Sequence, residues 1–314
     1  MLHVLGCLDG TGPLQQVKVR RLISGNLDAH LMINDPAYYL PDKSLEVFLE
    51  NARGEKVRLD PVLYPPQSGG DFAQDSNRIY ETTVFQTTPG LRVWLEIDDP
   101  ANGKTITSAI NTVGQAAFGY PAKGSLKGKF RFTDSQRPFH IEYSQAPASI
   151  WTVSVKYVDY LLNGGSVCRK VTYNGPAWYG PHSDLHISQS FPLEYLWKIF
   201  NLSVPDDPDI DYRKFYRFDF TVWNGDSTLS NYMDVADRFT DNRKQYFCNI
   251  EGGMGLFFSV SHDRIRDIWP NDPFCAVLAN ADTLKHLKFS PYPYEGPYTD
   301  PDSVPVNPFL NILK

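Results

Sequence analysis

The sequence predicts an all-β fold, mainly antiparallel, with two short inserted helices, and three observations carry that expectation. The 22 glycines and 24 prolines are scattered along all 314 residues, leaving few uninterrupted runs long enough for helices. Short apolar segments are separated by turn chemistry such as Asn51-Ala52-Arg53-Gly54, Thr87-Thr88-Pro89-Gly90 and Pro100-Ala101-Asn102-Gly103. Inside the segments the apolar residues alternate. Val93, Leu95 and Ile97 interleave with Arg92, Trp94, Glu96 and Asp98, the two-residue period of a strand with one apolar face.

Taken in order, Leu2 to Leu8 reads as the first strand and Asp9-Gly10-Thr11-Gly12-Pro13 as its turn. Further strands are predicted over Leu14 to Ile23, Leu45 to Glu50, Glu55 to Pro61, Ile79 to Phe85, Leu91 to Asp98 and Lys104 to Val113, with a Pro/Gly/Ser-rich surface loop from Asp60 to Asn77. That strand count over residues 1–113 suits an immunoglobulin-like or transthyretin-like β-sandwich. A boundary is placed in the glycine-rich stretch Gly114 to Lys129. Residues 114–288 then read as a second, larger β-sandwich or barrel-like domain, with strands at Phe139 to Tyr143, Ile150 to Leu161, Val167 to Tyr173, Tyr212 to Trp223 and Gly255 to Ser261. In the fourth of these, Tyr216, Phe218, Phe220 and Val222 are expected on a buried face, and Arg217, Asp219 and Thr221 on a solvated one.

Helices are predicted near 192–202 and 227–238. Pro192 suits a first helical turn, and Leu193, Leu196, Trp197 and Phe200 follow with helical spacing. Asp226 or Ser227 caps the second helix, which carries Leu229, Tyr232, Met233 and Ala236 on one face. Both apolar stripes read as core. Residues 289–314, with Pro291, Pro293, Pro297, Pro301, Pro305 and Pro308 among tyrosines and aspartates, cannot supply a regular hydrogen-bond ladder and read as an extended strap across the surface.

A net charge of −6 argues against nucleic acid or an anionic membrane surface as partner, because both need a concentrated basic face and the cluster Lys18, Arg20 and Arg21 is too small to supply one. No stretch is long and apolar enough to span a bilayer as a helix. Cys7, Cys168, Cys248 and Cys275 form no CxxC pair, and two arrangements stay open: four buried thiols, or one Cys248–Cys275 disulfide. Leu5-Gly6-Cys7 spells the end of a lipoprotein signal, but the six residues before the cysteine cannot hold the apolar stretch of about 7–15 residues that a signal needs. Met1 is therefore expected to stand where an export signal has been replaced.

No GxSxG elbow, HExxH, phosphate loop or dinucleotide fingerprint is present, and no catalytic residue, metal ligand or cofactor is predicted. Glu251-Gly252-Gly253-Met254-Gly255 lacks the lysine and hydroxyl of a phosphate loop and reads as a bulge or a close backbone approach. His182 and His186 are four apart, but in a loop rather than on one helix face. Asp206, Asp207, Asp209 and Asp211 resemble the opening of a calcium loop, then continue with Arg213 and Lys214 instead of the required glycine and distal glutamate, so they read as a solvated acidic loop. Trp178 and Tyr179 differ from these because they sit in glycine-proline turn chemistry, where no strand face needs an aromatic. With His182 they are the candidate ligand-binding residues.

The opening Leu2-His3-Val4-Leu5-Gly6-Cys7-Leu8-Asp9, with Gly12-Pro13 and Val17-Lys18-Val19-Arg20-Arg21, and the more specific late run from Tyr246 to Phe257 with Asn249-Ile250-Glu251-Gly252-Gly253-Met254-Gly255-Leu256-Phe257, resemble a Bacteroidetes family of exported lipoproteins of unknown function. The resemblance covers most of the chain but not the segment after Phe289. It implies a non-enzymatic accessory protein, lipid-anchored at the outer membrane, that partners a TonB-dependent outer-membrane transporter in nutrient capture. Its ligand class would be a small molecule, glycan or peptide. Two other classes fit the sequence: a structural surface adhesin or scaffold, and a β-sandwich glycan or peptide hydrolase whose paired carboxylates come from distant strands.

Overall fold

The computed structural model describes residues 1–21, 45–64, 77–120, 139–180, 186–191, 193–238, 247–269, 273–301 and 307–309. The predicted Asp60 to Asn77 loop and Gly114 to Lys129 boundary lie partly outside them, as do Ile23, Pro192 and most of the chain after Pro301. The fold is all-β with short helices. Its strands are β1 (Leu2–Asp9), β2 (Gln15–Arg21), β3 (Glu46–Asn51), β4 (Lys56–Tyr64), β5 (Asn77–Thr82), β6 (Arg92–Asp99), β7 (Lys104–Asn111), β8 (Phe118–Tyr120), β9 (Phe139–Ser144), β10 (Ala148–Leu161), β11 (Ser166–Asn174), β12 (Trp178–Tyr179), β13 (His186–Phe191), β14 (Ile210–Gly225) and β15 (Met254–Ile268). The helices are α1 (Leu193–Ser203), α2 (Ser227–Arg238) and α3 (Phe274–Asn280), and a 3-10 segment spans Asp282–Leu287. The sequence predicts only the first two helices. With seven residues, α3 is too short to display a helical period.

One large sheet runs β11-β10-β14-β15-β1-β2-β5-β4-β3-β6-β7, and β12 adds to β10. A smaller sheet runs β13-β9-β8. In the first part, β1 to β7 enclose Val4, Val17, Val47, Leu49, Val93, Leu95 and Ile97, the last three being the inward members of the alternation read from the sequence. The strip curls until Thr107 of β7 exchanges both backbone hydrogen bonds with Glu251, at 3.1 and 2.8 Å, next to the start of β15.

β15 joins the two parts. Its first half pairs in parallel with β1, His3 opposite Met254 through Asp9 opposite Val260, and its second half pairs antiparallel with β14. Phe257 accordingly packs in the core of the first part, whereas Ile265 and Ile268 pack in that of the second. Gly255 makes the parallel pairing possible. It has φ of 126°, and a Cβ there would lie 1.8 Å from the Val4 carbonyl oxygen, so the run after Glu251 is the close backbone approach that its sequence suggests. The connecting segment is laid along β15 by side chains at alternate positions. Ser259 Oγ accepts from Val113 N at 2.8 Å, Ser261 Oγ from Ala116 N at 3.0 Å and Asp263 Oδ2 from Phe118 N at 3.1 Å.

In the second part, one face of β10 and β14 supplies Trp151, Val153, Val155, Tyr157, Phe215, Phe218 and Phe220 to a core closed by α1, α3 and the 3-10 segment through Leu196, Phe200, Phe274 and Leu287. The opposite face carries Ile150, Trp223, Phe258 and Val260 under Leu229 and Met233 of α2, with Phe309 from the tail. Two sequence expectations for β14 fail here. Asp219 and Thr221 are buried rather than solvated, because this second face is also covered. Tyr216 does not join Phe218 on the core face. The register with β10 shifts between Lys156 and Tyr157, and the extra residue in β14 moves Phe215 inward and Tyr216 to the other side.

Candidate functional site

The sequence-predicted aromatics sit where the chain leaves β11 and returns along the end of β10. Gly175 N donates to Trp151 O at 2.9 Å, and a Cβ at Gly175 would meet the Trp151 indole at 2.1 Å, so the turn closes directly over that ring. Trp178 and Tyr179 then pair with Ser149 and Ala148 as β12. Gly180 N donates to Pro147 O at 3.1 Å and Ser230 Oγ at 3.0 Å, which fixes the far end. Adjacent strand residues point to opposite sides. Tyr179 packs against the cluster of Ala148, Ile150, Leu229 and Met233, while Trp178 is 42% exposed. The two rings therefore do not form one stacking surface. His182 lies outside the described residues, and of His186 only its place at the start of β13 is described.

A second constellation escapes sequence reasoning. Lys156 of β10, Lys170 of β11, Asp219 of β14 and Arg264 and Asp267 of β15 meet on the covered face of the sheet, and Asp300 reaches them from the C-terminal segment. Lys156 Nζ lies 2.9 Å from Asp219, 3.0 Å from Asp267 and 3.3 Å from Asp300. Lys170 Nζ is 3.3 Å from the other Asp300 oxygen, and Arg264 Nη2 is 3.7 Å from Asp300 while also pairing with Asp219. Burial pulls the Lys156 ammonium down, but Asp219 and Asp267 more than offset it and hold its pKa above the usual lysine value. Lys156 thus stays a cation and is not poised as a nucleophilic amine. The acceptor oxygens of Asp219 are engaged by Lys156, Arg264 and the Asp267 backbone N–H, which donates at 2.8 Å. That saturation suits a structural ion pair better than a general acid or base facing substrate.

The segment from Phe289 to Pro301 covers this cluster. Ser290 N and Tyr294 N donate to Arg213 O and Phe215 O of β14, each at 2.8 Å, along the part of β14 that precedes its pairing with β15. Tyr298 stacks on Tyr216 with centroids 4.6 Å apart and donates its hydroxyl to Arg169 O at 2.6 Å. Burial and nearby Asp300 push the Tyr298 phenol far up, so the hydroxyl remains a donor.

Other sequence candidates have local roles. Asp207 Oδ1 accepts from Asp209 N at 2.9 Å, a turn within its own loop. All four cysteines are free thiols, so no Cys248–Cys275 disulfide forms, but only Cys275 is buried: Cys7 and Cys168 are half-buried and Cys248 is exposed, which corrects the expectation of four buried thiols. The chain matches no family model and no curated protein. The described residues also form an open, largely apolar groove of about 430 Å³ between Trp197 of α1 and Pro273, Ala276, Val277, Asn280 and Ala281 at α3. Its lining includes none of the sequence-predicted site residues.

Proposed function

We propose that this protein is a non-enzymatic cell-envelope binding or accessory protein whose second β part presents Trp178 to a partner or ligand. The observation that carries the reading is the outward Trp178 ring on a pinned two-residue strand, with Tyr179 anchored behind it. A large aromatic held in place by backbone pairing loses little conformational freedom on binding, which is what a contact residue requires. Together with the resemblance of the opening and the late glycine run to exported lipoproteins, this favours a TonB-dependent outer-membrane transporter as partner and a place at the outer membrane. The cargo would be a small molecule, glycan or peptide. No helix among the described residues is long and apolar enough to cross a membrane, so association would rest on an anchor or on the partner.

The test is recovery of the natively exported protein from gently solubilised outer membranes, followed by mass spectrometry. A stoichiometric β-barrel transporter, reduced in yield by Trp178→Ala, supports the reading. Recovery of the protein alone, from membranes in which known transporter complexes survive the same detergent, overturns it.

A further inference from the structure

We propose that Lys156, Lys170 and Arg264 form a binding cradle for a small oxyanion, a carboxylate or phosphate, and that Asp300 of the C-terminal segment occupies it as a built-in ligand. Three cations converge from three different strands onto one carboxylate, with Asp300 Oδ1 facing Lys170 and Oδ2 facing Lys156 and Arg264. The cradle is organised by the sheet rather than by the segment that fills it. Asp219 holds both Lys156 and Arg264, and Lys156 and Lys170 are cross-strand neighbours in the β10–β11 register.

Charge requires an occupant. Asp300 is one of three carboxylates, with Asp219 and Asp267, that face the cations Lys156, Lys170 and Arg264, and taking one counter-charge away from nearly buried cations is strongly unfavourable. The cations are nearly buried, but the Asp300 side chain is 25% exposed, so the position it fills can be reached from solvent. What seats Asp300 is separable from the cradle: the Tyr298 ring on Tyr216 and the Tyr298 hydroxyl on Arg169 O. An internal carboxylate acts at a high effective concentration, so an outside anion competes poorly until the segment lifts. Lifting would expose the cradle and the Tyr216 ring together, which gives an incoming carboxylate or phosphate an adjoining aromatic face.

The experiment titrates the full chain, wild type and Asp300→Ala, with succinate and separately with inorganic phosphate at constant ionic strength, read by calorimetry and by thermal unfolding. Asp300→Ala is expected to bind one of these anions at least about tenfold more tightly than wild type. Its unfolding temperature should rise on adding that anion, with both effects lost in Asp300→Ala/Lys170→Gln. The two titrations distinguish a carboxylate from a phosphate ligand. A folded Asp300→Ala protein that binds neither anion better than wild type overturns the proposal, as does equal stabilisation by chloride. Should Asp300→Ala not fold, Tyr298→Ala, which keeps the carboxylate but loosens its seat, decides: anion-specific stabilisation absent from wild type supports the cradle, and none overturns it.

Discussion

Asp226 and Ser259 tie the start of α2 to the strand shared by both parts of the molecule. Asp226 Oδ2 accepts from Ser259 N at 2.8 Å and from the Ser259 hydroxyl at 3.1 Å, while Oδ1 accepts from Leu229 N at 2.9 Å as an N-terminal cap. The same Ser259 hydroxyl accepts from Val113 N, so one carboxylate orients the group that holds the connecting segment. Burial raises the Asp226 pKa to about 6, against the lowering effect of these donors.

A carboxyl whose folded value is raised contributes stability that is fully present below its unfolded pKa, near 3.8, and is lost as pH rises through about 6. Asp226→Asn removes that titration and turns an amide donor or a single acceptor toward Ser259 N, so it should destabilise the fold. The stability gap between wild type and Asp226→Asn is expected to widen by about 1 kcal/mol between pH 7 and pH 5. Urea unfolding of both proteins at the two pH values measures it, and a gap independent of pH would refute the assignment.

Gly255→Ala places a methyl group against the Val4 carbonyl in a backbone conformation unfavourable for any L side chain. Relief requires parting β1 from β15. A loss of at least about 3 kcal/mol is expected, read as a large fall in the denaturation midpoint. Gly103→Ala, also at positive φ but with nothing near its Cβ, separates backbone strain from lost pairing and should cost less.

Arg213 is buried with Nε on Asp159 at 2.9 Å, Nη1 on Leu287 O at 2.8 Å and Nη2 on Pro205 O at 2.7 Å. One guanidinium thus joins β10, the loop after α1 and the end of the 3-10 segment. A lysine ammonium cannot span that fork. Arg213→Lys is expected to lower stability by about 2 kcal/mol or more, whereas Arg58→Lys in its exposed pair with Glu46 should change it by less than about 0.5 kcal/mol.

The two neighbouring aromatics of β12 should separate cleanly. Tyr179→Ala removes a ring packed beneath α2 and should cost about 2 kcal/mol or more. Trp178→Ala should cost less than about 1 kcal/mol while reducing partner recovery. Equal losses of stability would mean that Trp178 is a packing residue, which would remove the basis for placing it at a contact surface.

Much of the secondary structure was legible because it is written in local periodicity. The alternation of Val93, Leu95 and Ile97, the Asp226 cap and the apolar stripes Leu196–Phe200 and Leu229–Met233 each need only neighbours along the chain. Trp178 was singled out as a candidate by an equally local signal, an aromatic among glycines and prolines, and its exposure came only with the fold. The direction of Tyr179 was not legible either, since a two-residue strand shows no period until its pairing with Ala148 and Ser149 is known.

Sequence by itself thus determined the β class, the turns and two helices, because hydrophobic alternation and capping act within a few residues. Tertiary structure decided which strands meet and what lies over them. The parallel pairing of the first strand with the last, the bulge that turns Tyr216 outward, and the meeting of Lys156, Lys170, Asp219, Arg264 and Asp300 all depend on contacts between distant parts of the chain. A polar residue on an alternating strand reads as solvated whenever the covering segment is irregular. The proline-rich end already reads as a strap, but only the folded chain reveals which face its described part covers and that it brings Asp300 to the buried cations.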